Sequence, residues 1–114
     1  MEASVTRGDL IAIGVDGDGR IWKGHFGMAA EYRLFDRAGE LMEKRANPHG
    51  VGAGKRKDHS DPTLIMDLLP ECTTYIARRM GKQSQQRLIE LGVETITTDE
   101  PDPLLALAAY LDAS

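Results

Sequence analysis

The sequence predicts an α/β domain built on one five-stranded mixed sheet, strand order 3-2-1-4-5, with about three helices. Three observations lead there. The run Leu10-Ile11-Ala12-Ile13-Gly14-Val15 has the unbroken hydrophobicity of a strand covered on both faces. Two more strand-like segments follow it with turn chemistry between them, which makes an antiparallel meander. Beyond them, helix-like and strand-like segments alternate, so the later strands return parallel through right-handed crossovers.

Strand one ends in Asp16-Gly17-Asp18-Gly19, a strong turn signal. Strand two runs over Glu31 to Asp36. The hairpin turn Asp36-Arg37-Ala38-Gly39 places glycine where positive φ is needed, and strand three covers Glu40 to Ala46. The stretch 47–60 holds Pro48, Gly50, Gly52 and Gly54 beside Lys55, Arg56 and Lys57, which predicts a flexible loop. Asp61-Pro62 reads as an N-cap followed by proline at the first helical position. The helix it opens buries Leu64, Ile65, Leu68 and Leu69 and stops at Pro70. Thr73 to Arg78 is strand four. Gly81 leads into a helix over Gln83 to Leu91 with Leu88 and Leu91 inward and Gly92 as its C′ residue. Val93 to Thr98 is strand five. Asp102-Pro103 repeats the cap signal, and Leu104, Leu105, Ala108 and Leu111 form the apolar stripe of the last helix.

The 114 residues form a single domain, 1–114, with its core over about 10–112. An apolar fraction of 41% and a charged fraction of 28% are ordinary for a soluble globular protein. No apolar run approaches the roughly 20 residues of a membrane helix, and Met1 to Arg7 lacks the order of a secretory signal. The one cysteine, Cys72, permits no internal disulfide and fits a cytoplasmic location. A net charge of −4 argues against general affinity for nucleic acid, although Arg20, Lys23, Arg78, Arg79 and Lys82 are placed to gather locally.

With strand order 3-2-1-4-5, the chain leaves strand one and strand four in opposite directions, and ligands favour such a switch point. Two connections should meet there. One is Asp16 to Gly27, ending in His25-Phe26-Gly27, where an imidazole able to bond a metal sits beside glycine. The other is Arg79-Met80-Gly81-Lys82, where a helix begins and its unpaired N–H groups favour an anion. Met28 or Met80 adds a thioether sulfur. Strand three is parallel to strand one, so the 47–60 loop, with His49 and His59, leaves from the same rim about 10 Å away as a candidate lid.

Plainer roles compete for most of these residues. His25 also suits a turn cap, Met80 and Trp22 suit packing, and His49 and His59 suit solvated loop positions. Cys72 precedes strand four, at the rim opposite His25, and reads as a buried structural thiol. Asp16, Asp18 and Asp36 lie in turns and make no two-metal nuclease constellation. There is no Ser-His-Asp or Cys-His arrangement, P-loop, dinucleotide fingerprint or zinc-ligand spacing.

Taken in order, His25-Phe26-Gly27, Met80-Gly81 and Gly92-Val93 resemble the dinitrogenase iron–molybdenum cofactor biosynthesis accessory family, the nitrogenase cofactor carrier-like domains, over about Leu10 to Leu111. The resemblance implies a ribonuclease H-like fold without nuclease activity. It implies a protein that carries or stores the iron–molybdenum cofactor or a related metal–sulfur cluster, including a molybdenum–copper–sulfur cluster. His25 becomes the expected metal ligand, within a cofactor-binding set of His25, Phe26, Gly27, Arg79, Met80, Gly81 and Lys82. That Arg79, Lys82 and the Gly81 backbone hold an anionic cluster is read from their chemistry, not from the family pattern. The step Arg79 to Ser84 is more polar than the family's small-residue run, and the basic Gly-rich loop also departs from it. The expectation is a binding protein and not an enzyme, a monomer or weak homodimer, with cluster-donor and cluster-acceptor proteins as partners and neither nucleic acid nor membrane. The alternative is a protein-interaction or regulatory domain that has lost the cluster.

Overall fold

The computed structural model describes residues 9–48 and 62–113. Its elements are β1 (Leu10–Val15), β2 (Glu31–Phe35), β3 (Leu41–Ala46), α1 (Pro62–Leu68), β4 (Cys72–Ala77), α2 (Lys82–Glu90), β5 (Glu94–Thr97) and α3 (Pro103–Ala113). The sheet has the order β3-β2-β1-β4-β5. Its first three strands are antiparallel neighbours, whereas β4 and β5 run parallel to β1. The expected α/β class, element order and strand order are all present. The expected cap at Asp61 and the candidate lid with His49 and His59 fall in 49–61, outside the described residues.

β1 is central because both of its faces are apolar. Ile11, Ile13 and Val15 point one way, where they pack with Phe35, Ile76 and the α3 residues Ala106 and Leu107. Ala12 points the other way, into a cluster of Tyr32, Leu34, Tyr75, Ile65, Leu69 and Leu88. One sheet face is thus covered by α3 and the other by α1 and α2. Each fully buried aliphatic side chain contributes about 1.5–3 kcal/mol, so losing either layer would leave the sheet unsupported.

The turns follow side-chain chemistry. Asp16 Oδ1 accepts the Asp18 and Arg20 N–H groups at 2.8 and 3.1 Å. Asp36 Oδ1 accepts those of Ala38 and Glu40, both at 2.9 Å. Gly39 closes this second turn at φ +88°, a value that a Cβ disfavours. Two arginines then tie distant elements together. Arg37 donates to the Asp9 carbonyl, Tyr110 Oη, Thr73 Oγ1 and Thr74 Oγ1. Arg45, on the exposed edge strand β3, donates to the Leu68 carbonyl and both Glu71 oxygens, and charged side chains on an edge strand, here Glu43, Lys44 and Arg45, discourage further strand pairing.

Two helix faces differ from expectation. In α3 the inward residues are Pro103, Ala106 and Leu107, with Tyr110 and Leu111 partly buried, while Leu104 and Leu105 are 60% and 57% exposed. The segment Pro103-Leu-Leu-Ala-Leu-Ala-Ala is apolar on nearly every side, so its pattern does not select a face. The entry of the chain selects it: Ile21 N–H donates to the Pro101 carbonyl at 2.8 Å, and Asp102 Oδ1 caps Leu104 N–H at 2.9 Å. Leu91, expected inward, is exposed, because it is already the C-cap of α2.

Candidate functional site

The carboxyl ends of β1 and β4 carry the site. After β1 the chain makes its Asp16 turn, bridges back at Val15–Ile21, and reaches His25, which forms an isolated parallel bridge with Arg79 just beyond β4. Phe26 N–H donates to the Arg79 carbonyl at 3.0 Å. Phe26–Met28 then form one 3-10 turn with His25 as its N-cap.

Phe26 anchors this turn. Its ring is buried, stacked on Tyr75 with centroids 4.7 Å apart and tilted against Tyr32 at 4.9 Å. Tyr32 Oη donates to the Phe26 carbonyl at 2.7 Å. Burial, with the Tyr75 phenol beside it, pushes the Tyr32 phenol far above its ordinary value, so it stays a proton donor. His25 points the other way. Its side chain is exposed and makes no hydrogen bond to a described residue.

Across from His25, α2 starts at Lys82 with Gly81 as its N-cap, a residue that supplies no side-chain cap. The leading N–H groups of a helix have no partners within it and carry partial positive charge. Lys82 is exposed and has no carboxylate within 4 Å among the described residues. Between the two segments lies an open cleft of about 520 Å³, inside the range of about 300–1,000 Å³ usual for small-ligand sites. Phe26, Ile65, Met80 and Leu88 give it an apolar floor, and His25, Lys82, Gln83 and Ser84 give it a polar mouth.

Six of the seven residues expected at the site, His25, Phe26, Gly27, Met80, Gly81 and Lys82, line this cleft. Arg79 enters only through its backbone; its exposed side chain is not part of the wall. Arg20 lies apart, lining a smaller hollow with Arg33 and Asp102. Cys72 opens β4 beside Leu10, at the opposite rim, and burial, reinforced by the Glu71 carboxylate, pushes its thiol up to about 12. Asp16 and Asp36 are committed to their turns, and among the described residues no three of His, Cys, Asp and Glu gather as a metal site.

A family model described as dinitrogenase iron-molybdenum cofactor matches residues 9–113. The chain belongs to the dinitrogenase iron-molybdenum cofactor family. No curated protein matches it in sequence comparison. Among solved structures it is similar to the apo form of the orange protein from Desulfovibrio gigas, with a TM-score of 0.73 and 18% identity over 92% of this chain and 88% of that one. It is similar to the protein PH0822, with a TM-score of 0.66 and 16% identity over 92% and 90% of the two chains. It is also similar to a NifB-like protein of the DUF35 family from Thermotoga, with a TM-score of 0.62 and 18% identity over 91% and 88%. At these identities the likeness establishes the fold.

His25-Phe26-Gly27 and Met80-Gly81 both lie within the matched residues, and the two segments meet at the cleft. Sequence reasoning missed Ile65 and Leu88, which are apolar helix positions indistinguishable from any core residue before the helices are docked. It also missed Asn47, read only as the start of a loop. Asn47 is 8% exposed, and a polar residue so deeply buried is bonded for a reason.

Proposed function

We propose that this protein is a cytoplasmic carrier for the iron–molybdenum cofactor or its precursor, a binding protein with the cluster as cargo and no catalysis of its own. One observation carries the reading: in a chain of this family, an exposed imidazole and an ammonium at a helix start, neither bonded to a described residue, line the same cleft. A ribonuclease H-like description of the sheet belongs to the same reading and is supported by the strand order and its mixed directions.

The residues present suit an anionic metal–sulfur group. His25 offers one nitrogen lone pair to a metal, and Met80 contributes a polarisable sulfur in the wall. Lys82 and the start of α2 offset negative charge. The floor of Phe26, Ile65 and Leu88 excludes water from one side, which strengthens the charge contacts that remain. One protein–metal bond instead of three or four keeps release to an acceptor protein fast, and the open mouth of the cleft leaves room for donor and acceptor to approach. A monomer or weak homodimer meets this requirement.

The test is anaerobic titration of the metal-free protein with isolated iron–molybdenum cofactor, alongside His25→Ala. Stoichiometric binding by the native protein, weakened at least tenfold in the variant, is expected. Because the His25 side chain is exposed, the variant should keep its stability to within about 0.5 kcal/mol. Equal binding by both proteins removes His25 from the account. No binding by either moves the cargo to a molybdenum–copper–sulfur cluster, and failure there as well leaves an interaction or regulatory domain.

A further inference from the structure

We propose that Asn47 is a positioning residue, one that holds the His25 turn in the shape that binds ligand; the inference rests on the carrier reading for its functional consequence. Asn47 stands at the end of β3, two strands away from β1, yet it reaches the turn through three separate contacts. Its side-chain Nδ2 donates to the Gly27 carbonyl at 3.0 Å and to the Ala29 carbonyl at 2.8 Å. Its backbone N–H donates to the Ala30 carbonyl at 3.2 Å. The amide nitrogen also lies 3.2 Å from Tyr32 Oη, the hydroxyl that holds the Phe26 carbonyl.

A three-residue 3-10 turn has little stiffness of its own. Within this one the backbone supplies only Met28 N–H to His25 O at 2.9 Å and Ala29 N–H to Phe26 O at 3.3 Å. The entry side is fixed by Arg79 and by the Phe26 ring. At the exit side, the Ala30 N–H donates to the Val15 carbonyl at 3.1 Å, and the Gly27 and Ala29 carbonyls between that anchor and Phe26 are held by the Asn47 amide. Remove that amide and the Gly27 and Ala29 carbonyls lose their donor, so the short stretch between the Phe26 and Ala30 anchors can rotate them toward water and shift the His25 backbone with it. A ligand held by a single imidazole is sensitive to such a change, because no second protein–metal bond compensates for misplacement. Outer contacts that orient a metal-binding histidine are typically worth about 10–100-fold in affinity.

Asn47→Asp is the informative variant because it keeps the shape and removes the donor. The introduced carboxylate would face two carbonyl oxygens, and that apposition together with burial raises its pKa. Protonation supplies one O–H donor, so mild acid should restore the turn. The expected result at neutral pH is a loss of cofactor affinity of roughly 10–100-fold against the native protein, shrinking to a few-fold at mildly acidic pH. Amide hydrogen exchange provides a readout that needs no ligand: Met28 and Ala29 should exchange faster in the variant at neutral pH, while Ile13 and Ile76 stay protected. Should Asn47→Asp unfold outright, Asn47→Ala decides instead, since its smaller side chain admits water to the two carbonyls; it should show the same loss without rescue by acid. Unchanged exchange at Met28 and Ala29 in the folded variant overturns the proposal, as does native affinity with either substitution. If the native protein itself binds no cofactor, the carrier reading fails, and the exchange result still judges whether Asn47 holds the turn.

Discussion

Gly14→Ala should destabilise the protein by pushing on the site from beneath. Gly14 is a buried residue of β1, paired in register with Tyr32. A Cβ added there would lie 2.8 Å from Ala29 Cβ, 3.3 Å from Tyr32 Cε1 and 3.5 Å from Phe26 Cδ1. The first contact is too short to persist, and Ala29 has no flexible side chain to swing aside. The backbone at the exit of the His25 turn must therefore move. Overpacking of this kind costs about 1–3 kcal/mol. Replacing glycine also lowers the entropy of the unfolded chain, which returns about 0.4–1 kcal/mol. The net loss is about 1–2 kcal/mol, or a fall in melting temperature of roughly 4–8 °C for a domain of this size. Gly17→Ala is the matched control. It sits in the exposed Asp16 turn, and a Cβ there meets nothing within 4 Å, so its effect should stay within about 0.5 kcal/mol. Thermal unfolding followed by circular dichroism compares the pair directly. If Gly14→Ala melts at or above Gly17→Ala, the close packing of β1 under the turn is refuted.

The remaining predictions concern protons. Burial holds the phenols of Tyr32 and Tyr75 far above their ordinary value, each opposed further by a neighbour, Tyr75 for the first and Cys72 for the second. Their contribution to stability is complete below the unfolded value of about 10 and is lost as pH rises beyond it. Phenolate absorbance should show two of the three tyrosines ionising only as circular dichroism reports unfolding; reversible ionisation with native dichroism would contradict this. Cys72, its thiol pushed up to about 12 by burial and then by the Glu71 charge, is protonated at neutral pH and should resist iodoacetamide until urea unfolds the protein. Rapid alkylation of the folded protein would place the thiol at the surface instead.

Much of the architecture is legible because its signals are local and mutually consistent. Unbroken apolarity marks β1 as central, Asp-x-x-Gly turns mark the meander, and Asp102-Pro103 marks the start of α3. Gly92, expected to end α2, takes φ +95°. Given the strand order, His25 and Arg79 must emerge near each other, and they form a bridge. The phase of α3 was not legible: a helix apolar on nearly all sides can turn several faces to the sheet with similar burial, and the choice falls to the Pro101 carbonyl and the Asp102 cap. Strand ends moved by one residue where a neighbour's length, not the residue's own propensity, decides pairing; Val93 is buried but lies outside β5 because pairing with β4 begins at Thr74–Glu94.

The site divides along the same line. Its chemical groups, an imidazole, a thioether and an ammonium at a helix start, could be named from the sequence because each stands beside a local marker, Gly27 or Gly81. The scaffold under them could not, because Phe26 and Tyr32 meet Asn47 and Tyr75, which are distant in the chain, only when β2, β3 and β4 are assembled. The case of Phe26 shows what this changes. In the sequence it is one of three adjacent residues assigned to ligand binding. In the structure its ring is packed in the core, stacked on Tyr75, and it serves the cleft only as part of the apolar floor. Anchoring Phe26 inward obliges His25, one position earlier in an extended conformation, to project outward, since successive side chains of extended backbone alternate. A single buried aromatic thus sets the direction of the imidazole, and binding and stability are coupled through one short turn.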